Sequence, residues 1–563
     1  MPDGPLIVQS DRTVLLEVAH PDAGTARHEL AVFAELERAP EHVHTYRITR
    51  LGLWNARAAG HTADEILAVL DRWSKFAVPQ SVSLEIAETM GRYGALVIER
   101  MRDDATPAGP AGDAPEAPNP TTLVLRSTDP AVLTQVVRSK KVAPLLTGRR
   151  DDGSYTIEPW ARGQLKQELI KLGWPADDLA GFTPGTPHDI DLDETGWHLR
   201  EYQRDAVEHF ADHGSGVVVL PCGAGKTLVG AAAMAAVKAN TLILVTNTVS
   251  ARQWRAELLK RTSLTEDEVG EYSGLVKDVK PVTIATYQIL TAKRRGAYAH
   301  LELLDALDWG LVVYDEVHLL PAPVFKLTAE LQARRRLGLT ATLVREDGRE
   351  SDVFSLIGPK RFDAPWKEIE AQGYISPAEC FEVRVDLPFD DRMQYAAAAD
   401  DERYRLAATA PAKLDATRQL IERHRGERIL VIGQYLDQLE TLSAELGAPQ
   451  VTGATPVAER ERLFQAFREG EEKILVVSKV ANFSVDLPEA SVAIQVSGSF
   501  GSRQEEAQRL GRLLRPKESG LTASFYTLVA RDTVDQDFAQ NRQRFLAEQG
   551  YAYSILDADQ VAA

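Results

Sequence analysis

The stretch "GVVVLPCGAGKTLVG", from Gly216 to Gly230, decides the fold class. Its apolar beginning is typical of a buried strand, and the glycine-rich segment after it leads into Lys226 and Thr227 at the start of a helix. A strand, a glycine loop and a helix in this order build a phosphate-binding loop. The usual spacing, G-x-x-x-x-G-K-[ST], begins with a glycine, whereas this chain has Leu220 there. The loop is therefore either degenerate or of a class that holds phosphate differently.

The residues of this loop predict a nucleotide site. Gly223 and Gly225 can adopt positive φ, and Ala224 is small, so the backbone can approach phosphate closely. Lys226 would neutralise the β- and γ-phosphate oxygens, and the hydroxyl of Thr227 would coordinate Mg²⁺. The alternative is a glycine-rich turn without a ligand. We predict ATP and Mg²⁺ as cofactors.

Two acidic residues support that prediction. The segment "LVVYDEVH" places Asp315 and Glu316 at the end of an apolar strand. Parallel strands end where the ligand crevice lies, so Asp315 is placed to make a second contact to Mg²⁺. Glu316 is placed to orient and activate the attacking water. The alternative, a strand followed by an acidic turn, carries little weight beside the loop.

Four further residues are weaker candidates. In "LGLTATLVRED", Thr340 and Thr342 follow a strand and are suited to linking the nucleotide site to another surface. In "HLREYQRDAV", Arg200 and Gln203 are expected on a helix ahead of the loop. The amide of Gln203 could read the N6/N7 edge of adenine, because it supplies a donor and an acceptor. By itself, that glutamine would be a surface residue.

Length and composition place the chain among ordinary globular proteins. With 563 residues, 44% of them apolar and 26% charged, it should form three or four domains. The net charge of −18 argues against binding nucleic acid through bulk attraction, but leaves room for a local basic channel. Two cysteines give no disulfide framework, and no apolar run reaches the roughly 18 residues of a membrane span. We expect a cytoplasmic protein.

Composition and periodicity divide the chain. Residues 103–120 are rich in proline, alanine and glycine and predict an extended linker. Short apolar strands alternating with helices begin near residue 195 and predict parallel sheets. The fold class is therefore α/β, with two tandem parallel-sheet lobes behind smaller mixed domains. The expected bounds are 1–102 and 121–185 for the small domains, then 190–365 for the first lobe and 366–550 for the second.

The second lobe lacks a glycine loop and offers instead the segment "QEEAQRLGRLLR". Its arginines recur at helical spacing beside Gln508, which we group with the nucleotide-binding residues. Opposite a nucleotide site, Arg512 and Arg515 would stabilise charge on the transferred phosphoryl group. The alternative is a solvated basic helix face.

Taken together, "GAGKT", "DEVH", "TAT" and "QRLGRLLR" resemble motifs I, II, III and VI of the superfamily 2 helicases. More narrowly, "YDEVHLLPAPVF", "LGLTATLVREDGR" and "GSFGSRQEEAQRLGRLLR" resemble the XPB family of DNA repair helicases. The N-terminal "EHVHTYRITRLGLWNARAAG" is also similar to that family. The resemblance covers most of the chain, and it indicates that the loop is of the helicase type.

This resemblance implies two RecA-like lobes that couple ATP hydrolysis to movement on DNA and unwinding with 3′→5′ polarity. It implies strand separation by Arg345, Glu346 and Asp347, and a place near the nucleotide for Asp486. Residues 121–185 would be a damage-recognition domain and residues 389–409 a short thumb. Two segments would hold the DNA backbone: "NTVSARQW", residues 247–254, and "IATYQIL", residues 284–290.

Two other functions use the same ATPase residues. One is a duplex-DNA translocase that never separates strands, and the other is an ATP-switched protein that recruits a repair nuclease. Glu316 argues against a pure switch, because a switch has little use for a water-activating carboxylate. The expected partners are single-stranded and forked DNA, with a repair nuclease or another repair protein as a candidate. We expect no membrane partner, a monomer, and a location in the cytoplasm at the nucleoid.

Overall fold

The computed structural model describes residues 4–39, 42–101, 122–221, 223–274, 276–294, 297–321, 324, 331–341, 349–364, 366–478, 490–498, 522–549, 551 and 553–561. Within these ranges the chain forms one four-stranded sheet, one five-stranded sheet, two seven-stranded sheets and a short two-stranded ribbon. No helix in the same ranges has the length and apolar character needed to cross a membrane.

The first domain is an antiparallel sheet covered by helices. Its strands run in the order β1-β2-β4-β3. The elements are β1 (Leu6–Val8), β2 (Thr13–Glu17), α1 (Ala23–Leu30), β3 (Ala34–Arg38), β4 (Val43–Ile48), α2 (Arg50–Ala58), α3 (Ala63–Trp73) and α4 (Gln80–Arg92). A capping box starts α3, because the Thr62 side chain accepts from the N–H of Glu65 and the Glu65 carboxylate accepts from the N–H of Thr62.

The second domain begins before the proline-rich segment, not after it. Its elements are β5 (Leu96–Arg100), β6 (Leu123–Ser127), α5 (Pro130–Val137), β7 (Leu146–Arg149), β8 (Tyr155–Ile157), α6 (Arg162–Lys171) and β9 (Ala176–Asp178). Strand β5 pairs antiparallel with β6, so segment 103–120, which lies outside the described residues, connects neighbouring strands of one sheet. The expected boundary at residue 102 therefore differs from the structure, because Leu96 and Ile98 pack in the core of the second domain.

The first lobe is a parallel sheet of order β12-β13-β11-β16-β17-β10-β18. Its strands are β10 (Ser215–Val219), β11 (Thr241–Val245), β12 (Val269–Tyr272), β13 (Val282–Thr286), β16 (Leu311–Asp315), β17 (Arg335–Thr340) and β18 (Lys360–Asp363), with the ribbon β14 (Lys293–Arg294) and β15 (Ala297–Tyr298) beside them. Its helices are α7 (Glu201–His213), α8 (Lys226–Val237), α9 (Thr248–Arg261), α10 (Tyr287–Thr291) and α11 (Glu350–Leu356). The short apolar strands predicted beyond residue 195 are present, and they include β10, β11, β13 and β16.

The second lobe repeats this architecture with order β21-β22-β20-β23-β24-β19-β25, and all its pairings are parallel. Its elements follow α12 (Trp366–Ala371) and are β19 (Ala378–Val385), α13 (Phe389–Ala397), α14 (Asp400–Ala408), α15 (Ala412–Arg423), β20 (Ile429–Gly433), α16 (Leu436–Leu446), β21 (Gln450–Val451), α17 (Val457–Glu469), β22 (Ile474–Ser478), β23 (Val492–Gln495), β24 (Ala523–Ala530), α18 (Val534–Glu548), β25 (Tyr553–Asp557) and α19 (Ala558–Val561). Two parallel-sheet lobes are what the sequence predicted, and α13 and α14 occupy the segment expected to be a thumb.

The small domains pack against the lobes through both polar and apolar contacts. The side-chain oxygen of Asn55 accepts from the N–H of Lys360 at 2.9 Å, which joins the first domain to the first lobe. Ala547 on α18 is buried in the core of the first domain, which joins that domain to the second lobe. The buried ammonium of Lys166 donates to Asp178 at 2.9 Å and to Gln332 at 2.7 Å, and so fixes the second domain on the first lobe.

Candidate nucleotide site at the carboxyl edge of the first sheet

Leu220 belongs to the strand side of the phosphate-loop segment. Its N–H donates to the carbonyl of Thr340 at 2.9 Å, which continues the pairing of β10 with β17 by one residue. Its side chain is fully buried in the core of the lobe. A glycine is therefore not required there. Cys222 lies outside the described residues.

Two glycines shape the loop before α8. Gly223 has φ 83° and Gly225 has φ 81°, both in the left-handed region that glycine adopts without strain. A Cβ at Gly225 would lie 2.5 Å from Nε2 of Gln203. Gly225 is the N-cap residue of α8 and brings no side chain to cap the first-turn N–H groups. These N–H groups, including those of Lys226 and Thr227, fit a phosphate at the positive end of the helix.

Helix α7 holds the loop from the side. The carbonyl of Ala224 accepts hydrogen bonds from the hydroxyl of Tyr202 and from Nε2 of Gln203, each at 2.8 Å. Oε1 of Gln203 accepts from the N–H of Arg200 at 2.9 Å. One donor and one acceptor of this buried amide are thus engaged within the chain, and its observed role is to position the loop.

Arg200 lies at the N-cap of α7, just before the helix in which the sequence placed it. Its guanidinium stacks over the ring of Tyr374, with 4.5 Å from Cζ to the ring centroid. Tyr374 lies between α12 and β19, at the start of the second lobe. Arg200 therefore connects the helix that holds the phosphate loop to the junction of the two lobes.

The two acidic residues lie at the carboxyl end of β16, beside the loop. Nζ of Lys226 is 3.2 Å from Oε1 of Glu316. Glu316 has φ 50°, an uncommon conformation for a residue with a side chain, of the kind that clusters at functional sites. Its buried Oε2 accepts no hydrogen bond from the described residues and lies 3.5 Å from Nδ1 of His318. A carboxylate held in this way fits the predicted water-orienting role.

Asp315 is anchored at two of its atoms. The indole N–H of Trp254 on α9 donates to Oδ2 of Asp315 at 2.9 Å. The hydroxyl of Tyr287 on α10 donates to the backbone carbonyl of Asp315 at 2.7 Å. These two hydrogen bonds fix both the side chain and the backbone of Asp315 at the edge of the sheet.

Burial and charge act differently on the two carboxyls. Burial raises the pKa of Asp315 to about 6, and the neighbouring charge of Glu316 adds to that shift. Burial acts on Glu316 in the same sense, but the positive charges of Lys226 and His318 hold the pKa of Glu316 below its usual value. The positive charges of Lys226 and His318 therefore stabilise the ionised form of Glu316, whereas burial and the adjacent Glu316 carboxylate favour the neutral form of Asp315.

Thr340 joins the strands that carry these groups. Its hydroxyl lies 2.6 Å from Nδ1 of His318, and its carbonyl accepts from Leu220. The end of β17 is thereby tied both to the acidic segment after β16 and to the strand that leads into the phosphate loop. The remaining predicted site residues lie outside the described residues: Thr342, Arg345, Glu346, Asp347, Asp486, Gln508, Arg512 and Arg515.

The donor set fits Mg²⁺ carried by a nucleotide. The described residues contain no cluster of three or more His, Cys, Asp or Glu side chains that could hold a metal alone. Mg²⁺ in phosphoryl-transfer sites is bound through one or two protein oxygens together with substrate phosphates. The hydroxyl of Thr227 and the carboxylate of Asp315 are suited to supply those protein oxygens.

Sequence reasoning did not identify three residues of this site: Trp254, Tyr287 and His318. Trp254 and Tyr287 lie in the segments that the sequence assigned to the DNA backbone, yet both hold Asp315. His318 follows Glu316 by two residues, so its place in "DEVH" was the available signal. For Trp254 no local signal existed, because its partner lies 61 residues away along the chain.

The fold and site together define a two-lobed P-loop ATPase of the helicase type. Residues 369–562 match the family described as ERCC3/RAD25/XPB C-terminal helicase. Residues 196–345 match the family of the Type III restriction enzyme res subunit, and residues 6–151 match a family described as a helicase conserved C-terminal domain. The chain belongs to the XPB family of helicases.

Full-length relatives carry this assignment. The chain is 65% identical to the "DNA 3'-5' helicase XPB" of Kineococcus radiotolerans, over 100% of this chain and 98% of that protein. It is 61% identical to the protein of the same name from Mycobacterium tuberculosis, over 99% of each. Among solved structures, the Hef helicase domain of Pyrococcus furiosus matches 60% of this chain and 97% of that domain, with TM-score 0.43 and 15% identity.

Proposed function

We propose that this chain is an ATP-dependent DNA helicase that moves in the 3′→5′ direction and separates strands during DNA repair. The observation that carries the proposal is the contact of Lys226 with Glu316, because it brings a phosphate-binding cation and a water-orienting carboxylate to one edge of a parallel sheet. Membership of the XPB family, with full-length relatives named as DNA 3′-5′ helicases, supports the direction and the substrate.

Binding of ATP begins at the N-terminus of α8. The first-turn N–H groups and the left-handed glycines hold the phosphates, and Lys226 exchanges its contact with Glu316 for the β- and γ-phosphate oxygens. Thr227 and Asp315 would hold Mg²⁺, which when bound neutralises charge that develops on the phosphate oxygens.

Hydrolysis becomes possible when Glu316 loses its contact with Lys226. Once Lys226 contacts phosphate, both carboxylate oxygens of Glu316 can accept hydrogen bonds from the attacking water. His318 remains next to Oε2 and holds the carboxylate toward the site. Arg512 and Arg515 would stabilise the transferred phosphoryl group from the second lobe, which makes hydrolysis dependent on closure of the two lobes.

The link to DNA is proposed through the strand ends around the site. Through the contact between His318 and Thr340, a change at the nucleotide site would move the end of β17 and the segment after it. That segment contains Arg345, Glu346 and Asp347, which would separate the strands. We further propose a cytoplasmic, nucleoid-associated protein that acts on single-stranded and forked DNA, with a repair nuclease as a candidate partner.

The test is ATPase activity without nucleic acid, with single-stranded DNA and with blunt duplex, followed by unwinding of forks that carry either a 3′ or a 5′ tail. Lys226→Ala is the blank, and Lys260→Ala, an exposed lysine on α9, is its matched control. We expect stimulation by single strands and unwinding only from a 3′ tail. Stimulation by duplex alone, without unwinding, would replace helicase by translocase. ATP binding without turnover would favour the nucleotide-switched recruiter.

A further inference from the structure

We propose that Trp254 is a positioning residue for the carboxylate of Asp315, so that helix α9 sets the geometry in which that carboxylate meets a divalent cation. The inference rests on the proposed function of the site as an ATPase. It concerns a residue that contacts neither nucleotide nor metal itself, and that acts only through Asp315.

A hydrogen bond connects Trp254 to the carboxylate of Asp315. The indole N–H of Trp254 donates to Oδ2 of Asp315 at 2.9 Å, with the indole 2% exposed. A carboxylate at the end of a strand can rotate about its side-chain bonds, and a donor on one oxygen fixes which oxygen faces the site. The donor on Oδ2 therefore restricts the rotation of the Asp315 carboxylate and sets the orientation in which it would meet a cation.

The indole ring of Trp254 also packs against α8. A Cβ at Gly230 on α8 would lie 2.4 Å from Cη2 of Trp254, so the ring rests directly on the helix that starts with Lys226 and Thr227. The same ring therefore contacts the helix of the phosphate loop and donates to the carboxylate at the end of β16. It sets the spacing between the two groups proposed to hold Mg²⁺, Thr227 and Asp315.

A second helix, α10, anchors Asp315 as well. The hydroxyl of Tyr287, on α10, donates to the backbone carbonyl of Asp315 at 2.7 Å, and Tyr287 is buried. The side chain of Asp315 is thus held from α9 and its backbone from α10. Both helices start at the carboxyl ends of strands, β11 and β13, so any displacement of either helix is transmitted to Asp315.

A buried indole needs a hydrogen-bond partner in any fold, so the test must separate positioning from packing. Trp254→Phe removes the N–H and keeps an aromatic ring. The matched control is Trp309→Phe, since Trp309 is a buried tryptophan of the same lobe whose indole donates to the carbonyl of Leu303 at 3.0 Å, away from the site. Tyr287→Phe is a second variant that keeps its ring and removes only the hydroxyl.

The measurement is Mn²⁺ binding in the presence of ADP, followed by the electron paramagnetic resonance signal of free Mn²⁺, with the Mg²⁺ dependence of ATPase activity beside it. For Trp254→Phe we expect Mn²⁺ affinity to fall about tenfold, which is typical when a residue that orients a metal ligand is lost. The Mg²⁺ concentration for half-maximal turnover should rise in parallel, while KM for ATP at saturating Mg²⁺ stays within about twofold. Tyr287→Phe should also lower the Mn²⁺ affinity and raise the Mg²⁺ concentration for half-maximal turnover.

Mn²⁺ affinity in Trp254→Phe and Tyr287→Phe equal to that of Trp309→Phe would overturn the proposal, because the hydrogen bonds would then serve packing alone. We expect a higher metal concentration to restore the ATPase turnover of the two variants, and a higher ATP concentration to leave it low. If the wild-type chain has no more ATPase activity than Lys226→Ala, the proposed function itself is wrong. The two failures are therefore distinguishable within one set of proteins.

Discussion

Nζ of Lys226 lies 3.2 Å from Oε1 of Glu316, so the cation expected to bind phosphate and the carboxylate expected to orient water pair with each other. The pairing keeps Glu316 ionised in a site where burial would favour the neutral acid. It also couples two steps of the reaction, because phosphate that attracts Lys226 frees Glu316 for water. Nucleotide binding would then free the ionised Glu316 carboxylate to orient the attacking water.

Glu316→Gln tests this exchange. The amide keeps the size of the side chain but cannot act as a base, so we expect ATP binding to persist while turnover falls by at least about 10². Nucleotide binding by fluorescence and steady-state ATPase rates measure the two effects separately. Glu257→Gln, a partly exposed glutamate on α9, serves as the control. Unchanged turnover in Glu316→Gln would remove this residue from catalysis.

Gln203→Ala separates loop positioning from adenine recognition. The side chain donates to the carbonyl of Ala224, which is part of the phosphate loop. We therefore expect KM to rise about three- to tenfold for ATP and GTP alike, the usual value of one hydrogen bond. Gln465→Ala, on the exposed face of α17, is the control. A loss confined to ATP would show instead that the amide reads adenine.

Glycine-to-alanine changes in two helices should have opposite signs. At Gly230 the added Cβ would lie 2.4 Å from Trp254, so we expect destabilisation by about 1–3 kcal/mol from overpacking. At Gly91 on α4 a Cβ meets nothing within 4 Å, so we expect a gain of about 0.5–1 kcal/mol from helix propensity. Urea unfolding measures both. A stabilising Gly230→Ala would mean that the Trp254 ring does not rest on α8.

His44 predicts a pH dependence for the first domain. Burial, with a smaller contribution from Arg27, lowers its pKa from 6.5 to about 4. Between pH 6.5 and pH 4, His44 is protonated in the unfolded chain but neutral in the folded domain. The free energy of unfolding therefore falls as the pH falls from 6.5 toward 4. The loss at pH 5 is at most about 2 kcal/mol. Hydrogen-exchange protection of β2 and β4 measures it.

His44→Gln removes the titrating group and should flatten that pH dependence. The same substitution at His209, an exposed histidine on α7, should leave the first-domain profile unchanged. A profile for His44→Gln that follows the wild type would show that other groups cause the acid sensitivity.

Features encoded locally were predictable. The strand runs, the glycine loop and the acid pair at the end of β16 each depend on neighbouring residues, and so does the capping box at Thr62. The domain boundary was not predictable in the same way. Segment 96–100 begins with three apolar residues, Leu96, Val97 and Ile98, which suit a strand at the end of one domain or at the start of the next. Only its pairing with β6 decides between them.

The sequence by itself therefore determined the chemistry: an ATP-binding loop, the acid pair and a family resemblance that full-length relatives confirm. Only the tertiary structure decided how those groups are held, with Leu220 paired to Thr340, Trp254 bonded to Asp315 and Gln203 bonded to Ala224. The physical reason is distance along the chain. A motif consists of residues that are neighbours in the sequence, whereas hydrogen bonds between strands and helices join residues that lie far apart in it.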